Sequence, residues 1–142
     1  MRKIFLVLVV CFFVGNADAQ TAAAPPKNID KMVAFTNLDY DMGKIVFGVP
    51  LEYNVTIKNI SKDTVVLKDV VAGCGCTTPK FRSGEKILPG KSTYITLGFN
   101  GSVNGDFIRT VDIFFNDGSQ VKQAKFHGVA TVDSTTVKQA VN

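Results

Sequence analysis

Leu51, Tyr53, Val55 and Ile57 alternate with Glu52, Asn54, Thr56 and Lys58. A period of two puts one set on each side of an extended chain, with one face apolar and one wet. At 3.6 residues per turn the same apolar positions would scatter around a helix axis. The pattern recurs at Ile95, Leu97 and Phe99, at Val111, Ile113 and Phe115, and at Ala124, Phe126, Gly128 and Ala130. Thr64 to Ala72 is a near-continuous apolar run broken by Lys68-Asp69, which predicts a strand near a sheet centre. Val33 to Leu38 and Lys44 to Phe47 read as one first strand, interrupted around Met42-Gly43.

Turn chemistry separates these runs. Asn59-Ile60-Ser61-Lys62-Asp63 is expected to close a hairpin. Leu88-Pro89-Gly90-Lys91 places Pro and Gly as a type II turn requires. Asn100 to Gly105 reads as a longer loop, and Asn116-Asp117-Gly118-Ser119 is a strong hairpin signal. The fold class that follows is all-β: an immunoglobulin-like β-sandwich of about seven antiparallel strands over residues 33–132. The Cys…Trp…Cys signature of antibody domains is absent, because the chain has no Trp; the core falls to Val, Ile, Leu and the many Phe.

The ends read differently. Met1-Arg2-Lys3 is a basic start, Ile4 to Val14 is an unbroken apolar run, and Ala17-Asp18-Ala19 fits the small-x-small cleavage pattern. Residues 1–19 are therefore expected to be a signal peptide, cut before Gln20. Eleven apolar residues rise only about 16 Å as a helix, short of a hydrocarbon core of roughly 30 Å. Val10 precedes Cys11 inside that run, which argues against a lipoprotein cysteine. No later run is apolar enough to span a membrane, so no integral span is expected after cleavage. Residues 20–32, small and proline-bearing, read as a flexible linker, and residues 133–142 as a disordered tail. Export places the chain in the periplasm or outside the cell.

Removing residues 1–19 takes away Arg2, Lys3 and Asp18 and leaves a net charge of +3. That excess is too mild and dispersed to predict nucleic-acid binding. Two cysteines remain, too few for a disulfide framework, in a compartment that permits disulfides.

Those cysteines stand in Gly73-Cys74-Gly75-Cys76-Thr77-Thr78-Pro79, at the end of an apolar run. Glycine between them lets the backbone fold and the sulfurs approach. Three states are open: a small-ring disulfide more reducible than a structural bridge, two thiolates clamping Cu(I), or two free thiols with one packed inward. Zinc wants four ligands, and the chain offers two cysteines and His127. Lys80, Arg82, Lys86 and Lys91 read as a basic loop after the turn, against one acid, Glu85; positive charge beside a thiol favours thiolate. Cys74 and Cys76 are thus the candidate redox or metal residues, with Gly75, Thr77, Lys80 and Arg82 as supporting turn and loop. By alternation His127 faces away from Phe126 onto the wet side, without a serine or carboxylate on its own strand, a poor catalytic candidate. Asp39 and Asp41 are too few for a calcium loop.

Several stretches together resemble one secreted bacterial family, domain of unknown function 1573. Tyr40 to Gly48 is similar to its opening, Val65 to Pro79 to its strand leading into Cys-Gly-Cys-Thr, Ile87 to Gly90 to its Ile-x-Pro-Gly turn, and Gly105 to Asn116 to its Gly-x-Phe-x-Lys-Thr strand. Met42, Gly73 and Arg109 depart from the pattern, and none disturbs the cysteine turn. The resemblance covers roughly residues 36–130 and implies an immunoglobulin-like fold related to Hydin-type domains; it implies no activity. With no catalytic spacing present, the expected function is a non-enzymatic, exported cell-envelope module that binds another envelope protein, without a cofactor. The alternative is a thiol-redox or Cu(I)-handling protein built on Cys74-Gly75-Cys76.

Overall fold

The computed structural model describes residues 28–132. The expected signal peptide, most of the expected linker and the expected tail lie outside the described residues. Among the described residues nine strands form two facing sheets. One sheet runs, in spatial order, β1 (Val33–Thr36), β3 (Leu51–Asn59), β7 (Ser92–Phe99) and β5 (Thr77–Lys80). The other runs β2 (Asp39–Val46), β9 (Gln120–Thr131), β8 (Gly105–Phe115), β4 (Val65–Ala72) and β6 (Glu85–Ile87). From β1 to β8 every connection crosses from one sheet to the other, and only β8 and β9 form a hairpin.

The all-β sandwich agrees with the alternation, and the details correct it in four places. Thr77–Lys80 and Glu85–Ile87 are strands of four and three residues, too short to show a period; with the division of the first strand they bring the number to nine. The first strand is two strands in different sheets. Its break falls at Asn37, in the left-handed region with φ 63°, whose Nδ2 donates to the Asn54 carbonyl at 3.1 Å. Beyond it, β2 pairs with β9 in parallel, so the sandwich is not wholly antiparallel. Asn59 to Asp63 closes no hairpin but carries the chain from β3 across to β4 in the facing sheet. The packed domain also begins earlier than residue 33: Ile29–Lys31 form a 3-10 turn, and Ile29 and Met32 join the core.

Met42-Gly43 is a bulge inside β2, where the register on β9 shifts between Asp41 and Lys44. Gly43 has φ 65°, and its N–H donates to Asp41 Oδ1 at 2.8 Å. A Cβ on Gly128 opposite would come within 2.6 Å of the Gly43 carbonyl oxygen, so glycine permits this approach. Lys68-Asp69 is likewise a bulge, in β4, and β4 is an interior strand as expected. The Pro89-Gly90 turn closes with Lys91 N–H donating to the Leu88 carbonyl at 2.9 Å, Gly90 at φ 74°.

The inner faces carry the predicted side chains: Val55, Ile57, Ile95, Leu97, Val111, Ile113, Phe115, Ala124 and Phe126 are buried. Leu51 is the exception, 37% exposed at the start of its strand. An aromatic cluster joins the layers. Phe99 stacks on Phe107 at 4.7 Å and meets Phe126 edge-on at 5.5 Å, and Tyr53 meets Phe126 at 5.6 Å. Such pairs contribute about 0.5–1.5 kcal/mol beyond their burial.

Three polar groups enter this core: Asn59, Thr77 and the Tyr53 hydroxyl. Asn59 is fully buried and fully bonded. Its Nδ2 donates to the Asp63 and Ile87 carbonyls at 2.7 and 2.8 Å, and its Oδ1 accepts from the Ser61 N–H and hydroxyl at 2.9 and 2.8 Å. Its main chain accepts from Gly90 and donates to Lys91, so one side chain and its peptide tie the β3–β4 crossing to the β6–β7 turn. Tyr53 is the opposite case: among the described residues its buried hydroxyl has no hydrogen-bond partner. Burial first, then the charge of Asp39 and the neighbouring Tyr40, push its pKa well above the ordinary phenol value.

Asn59→Ala removes the buried donor to the Ile87 carbonyl and should cost about 2–4 kcal/mol in urea denaturation, with no change of sheet content. Tyr53→Phe should be neutral or stabilising by up to about 1 kcal/mol at neutral pH, since it deletes an unpaired buried hydroxyl. Because the folded state resists ionising Tyr53, its contribution is intact below pH about 10 and is lost as pH rises beyond it, where the unfolded phenol ionises. Melting curves at pH 7 and 10.5 should therefore differ less for the Phe variant than for the parent.

Candidate functional site

The Gly73 to Cys76 turn joins β4 to β5 and so bridges the two sheets at one rim. Gly73 N–H donates to the Thr110 carbonyl at 3.0 Å, which extends the β4–β8 ladder into the turn. A Cβ on Gly73 would meet Thr110 Oγ1 at 3.1 Å and its carbonyl at 3.3 Å, so this glycine lets the turn lie close on β8. Gly75 has nothing within 4 Å of such a Cβ and no positive φ. The glycine whose close approach the turn requires is therefore Gly73, where the sequence pointed to Gly75. Cys76 accepts at its carbonyl from Asn100 N–H at 3.1 Å, and Thr77 N–H donates to the Cys74 carbonyl at 3.3 Å.

Cys74 and Cys76 are joined as a disulfide, with their Cα atoms 5.3 Å apart. Of the three open states the structure holds the disulfide, and while bonded the two sulfurs offer no thiolate pair to Cu(I). No group of three or more metal-ligating side chains occurs among the described residues. Cys76 packs against the hydrophobic core. The buried Thr77 hydroxyl lies 3.6 Å from Cys74 Sγ and 3.9 Å from Cys76 Sγ.

The charge at the disulfide comes from a residue the sequence reading did not select. Arg109, on β8, donates from Nε to Cys76 Sγ at 3.1 Å. Its guanidinium also donates to the Ile108 carbonyl at 2.8 Å and lies 5.8 Å from the centre of the Phe99 ring. The expected basic loop takes no such part. Lys80 is the last residue of β5, about 10 Å along the strand from Thr77, and its ammonium pairs with Glu52 at 2.5 Å. Arg82 lines a shallow groove of about 470 Å³ with Lys80, Phe81, Glu85 and Tyr94.

A second cluster arises from the parallel β2–β9 pairing, which sets Asp39 opposite Lys125 and Asp41 opposite His127. His127 Nε2 is 3.5 Å from Asp39 Oδ1, its Nδ1 is 3.7 Å from Asp41 Oδ1, and Lys125 Nζ is 3.0 Å from Asp39 Oδ2. His127 does lie on the outer face, but with two carboxylates from the neighbouring strand beside it. No property of residue 127's own strand signals this.

The architecture and the rim together define an immunoglobulin-like β-sandwich domain carrying a one-residue disulfide turn. The chain belongs to the family described as protein of unknown function (DUF1573), whose model matches residues 33–130. No curated protein matches the sequence. Among solved structures it is similar to the VesB protease of Vibrio cholerae, with TM-score 0.60 and 8% identity over 72% of this chain and 33% of that one. It is similar to a protein of unknown function from Porphyromonas gingivalis W83, with TM-score 0.59 and 19% identity over 69% and 46%. The ASH/PapD-like domain of human CEP192 (PapD-like domain 7) matches with TM-score 0.58 and 10% identity over 94% of this chain and all of that one. At these identities the likeness shows the fold alone. The chain spans about a third of VesB and under half of the P. gingivalis protein.

A disulfide that encloses one residue restrains the unfolded chain little, about 1.5 kcal/mol by loop entropy against about 3 kcal/mol for a fifteen-residue loop. The double variant Cys74→Ser, Cys76→Ser should therefore lose only about 1–2 kcal/mol in guanidinium denaturation and keep its β-sheet circular dichroism. A loss of about 4 kcal/mol or more would make the bond a staple of the fold.

Proposed function

We propose that this chain is an exported, non-enzymatic module of the cell envelope that binds another protein through one apolar end of the sandwich. The observation that carries the reading is a run of exposed apolar side chains, Val46, Phe47, Val49 and Leu51, between β2 and β3, with Val132 also exposed beyond β9. Phe47 N–H donates to the Thr131 carbonyl at 2.9 Å and Gly48 N–H to the Gly101 carbonyl at 3.0 Å, so the run is held at the ends of β9 and of the β7–β8 loop. Gly101, at φ 68°, permits the contact, since a Cβ there would lie 2.7 Å from the Val49 carbonyl. An apolar surface held rigid in water supports docking.

Strand addition at a sheet edge is less well supported. β5 carries Pro79, which donates no hydrogen bond; β6 has three residues; β2 is bent by its bulge. Short, proline-bearing and bulged edges are devices that discourage pairing. The non-enzymatic reading rests on His127: the side chains beside it are two carboxylates at 3.5 and 3.7 Å on an open surface, not a nucleophile and its base. Export rests on the signal-peptide pattern.

Cross-linked capture from the source envelope should recover a protein partner bound to a chain that begins at Gln20. Phe47→Asp with Val49→Asp should reduce that capture about tenfold or more while leaving circular dichroism unchanged. Recovery of the chain alone, or capture indifferent to both substitutions, would sink the proposal.

A further inference from the structure

We infer that the Cys74–Cys76 bond is an exchange-active disulfide with a built-in direction: an external thiolate attacks Cys74, and Cys76 is the sulfur released, held as thiolate by Arg109. This goes beyond the docking reading and stands without it, since the apolar run and the disulfide turn use different residues.

Three observations carry it. Arg109 Nε donates to Cys76 Sγ at 3.1 Å, so a positive charge already stands where negative charge develops when the bond breaks. The guanidinium is pinned by the Ile108 carbonyl and the Phe99 ring, so it need not be reorganised during the reaction. Both sulfurs are half-buried beside the Thr77 hydroxyl, 3.6 Å from Cys74 Sγ and 3.9 Å from Cys76 Sγ, but Cys76 alone packs against the core, which leaves Cys74 as the sulfur open to attack. A disulfide splits faster when the departing sulfur is the better thiolate, and an opposite charge in contact makes it so. Both sulfurs are on one short turn, so reduction leaves the sandwich connected as before.

The reaction balances with an external thiol as reductant. The thiolate RS⁻ bonds to Cys74 Sγ; the Cys74–Cys76 bond breaks, and its electron pair leaves on Cys76 as a thiolate paired with Arg109. A second external thiolate attacks the R sulfur, releasing RSSR and the Cys74 thiolate, which takes a proton from water. The protein disulfide gains two electrons and two external thiols lose one each. The reverse sequence oxidises a dithiol.

The test uses the full folded chain, oxidised, with reduced glutathione as the probe, acid-quenched at short times and mapped by peptide mass. Glutathione is expected on Cys74 in about tenfold or greater excess over Cys76. Arg109→Gln should slow exchange about threefold to thirtyfold, the range set by a leaving-thiol shift of one to three pKa units with a Brønsted slope near one half. Arg109→Lys should restore part of the rate. Thiolate absorbance at 240 nm separates this from a structural effect. In Cys74→Ser, Arg109→Gln should raise the titration midpoint of Cys76 by about one unit or more. In Cys76→Ser the same change should move Cys74 much less. Adducts on Cys76, a bond inert to glutathione in the folded protein, or midpoints indifferent to Arg109 would each overturn the inference. The mapping on the unmodified chain decides it even if an Arg109 variant does not fold.

Discussion

The contact on which the structure depends is the stacking of Phe99 on Phe107, with Phe126 edge-on to both. Phe99 ends β7 in one sheet; Phe107 and Phe126 lie on β8 and β9 in the other. Without a tryptophan, these rings supply the large apolar area that lets two sheets exclude water between them. The same rings reach the disulfide rim. Phe99 pairs with Thr77, the residue after Cys76, and its ring lies beneath the Arg109 guanidinium. The core contact thus fixes both the strand that leaves the turn and the cation that bonds its sulfur.

Chain crossings shape the remainder. Because each strand from β1 to β7 is followed by one in the opposite sheet, the connections must span the sandwich, and their polar backbone needs partners at the rim. Asn59 meets that need at one crossing, with four side-chain bonds inside the molecule. The cysteine turn meets it at another, through the Gly73–Thr110, Asn100–Cys76 and Thr77–Cys74 bonds. A turn already bonded in this way does not need a disulfide to hold its shape. The sulfur bond is therefore an addition to a turn already held, half-buried at the rim, with Cys76 against the core and a cation beside it.

Most of the fold was legible because burial obeys a local rule. Val55, Ile57, Leu97, Ile113, Phe115 and Phe126 point inward at every second position, and the period of two shows that without knowledge of any neighbour. Leu51 breaks the rule because it lies at a strand's first position, where the facing sheet no longer covers it. The Asn37 break was illegible because asparagine fits a strand end or the left-handed region alike, and here a bond to the Asn54 carbonyl seventeen residues away accompanies the turn. The Asn59 hairpin was misread because a polar turn looks the same whether the next strand pairs beside the last or across from it.

The candidate site divides the same way. The sequence alone determined that two cysteines one residue apart end an apolar strand and that alternating side chains build two layers, because these depend on neighbours along the chain. Only the tertiary structure decided that Arg109 meets Cys76, that Asp39 and Asp41 meet His127, and that Gly73 rather than Gly75 lets the turn close on its neighbour. Those pairings depend on strand order and register, and a register is settled by the whole packed core: shifting one strand by a single residue would turn each of these side chains to the opposite face.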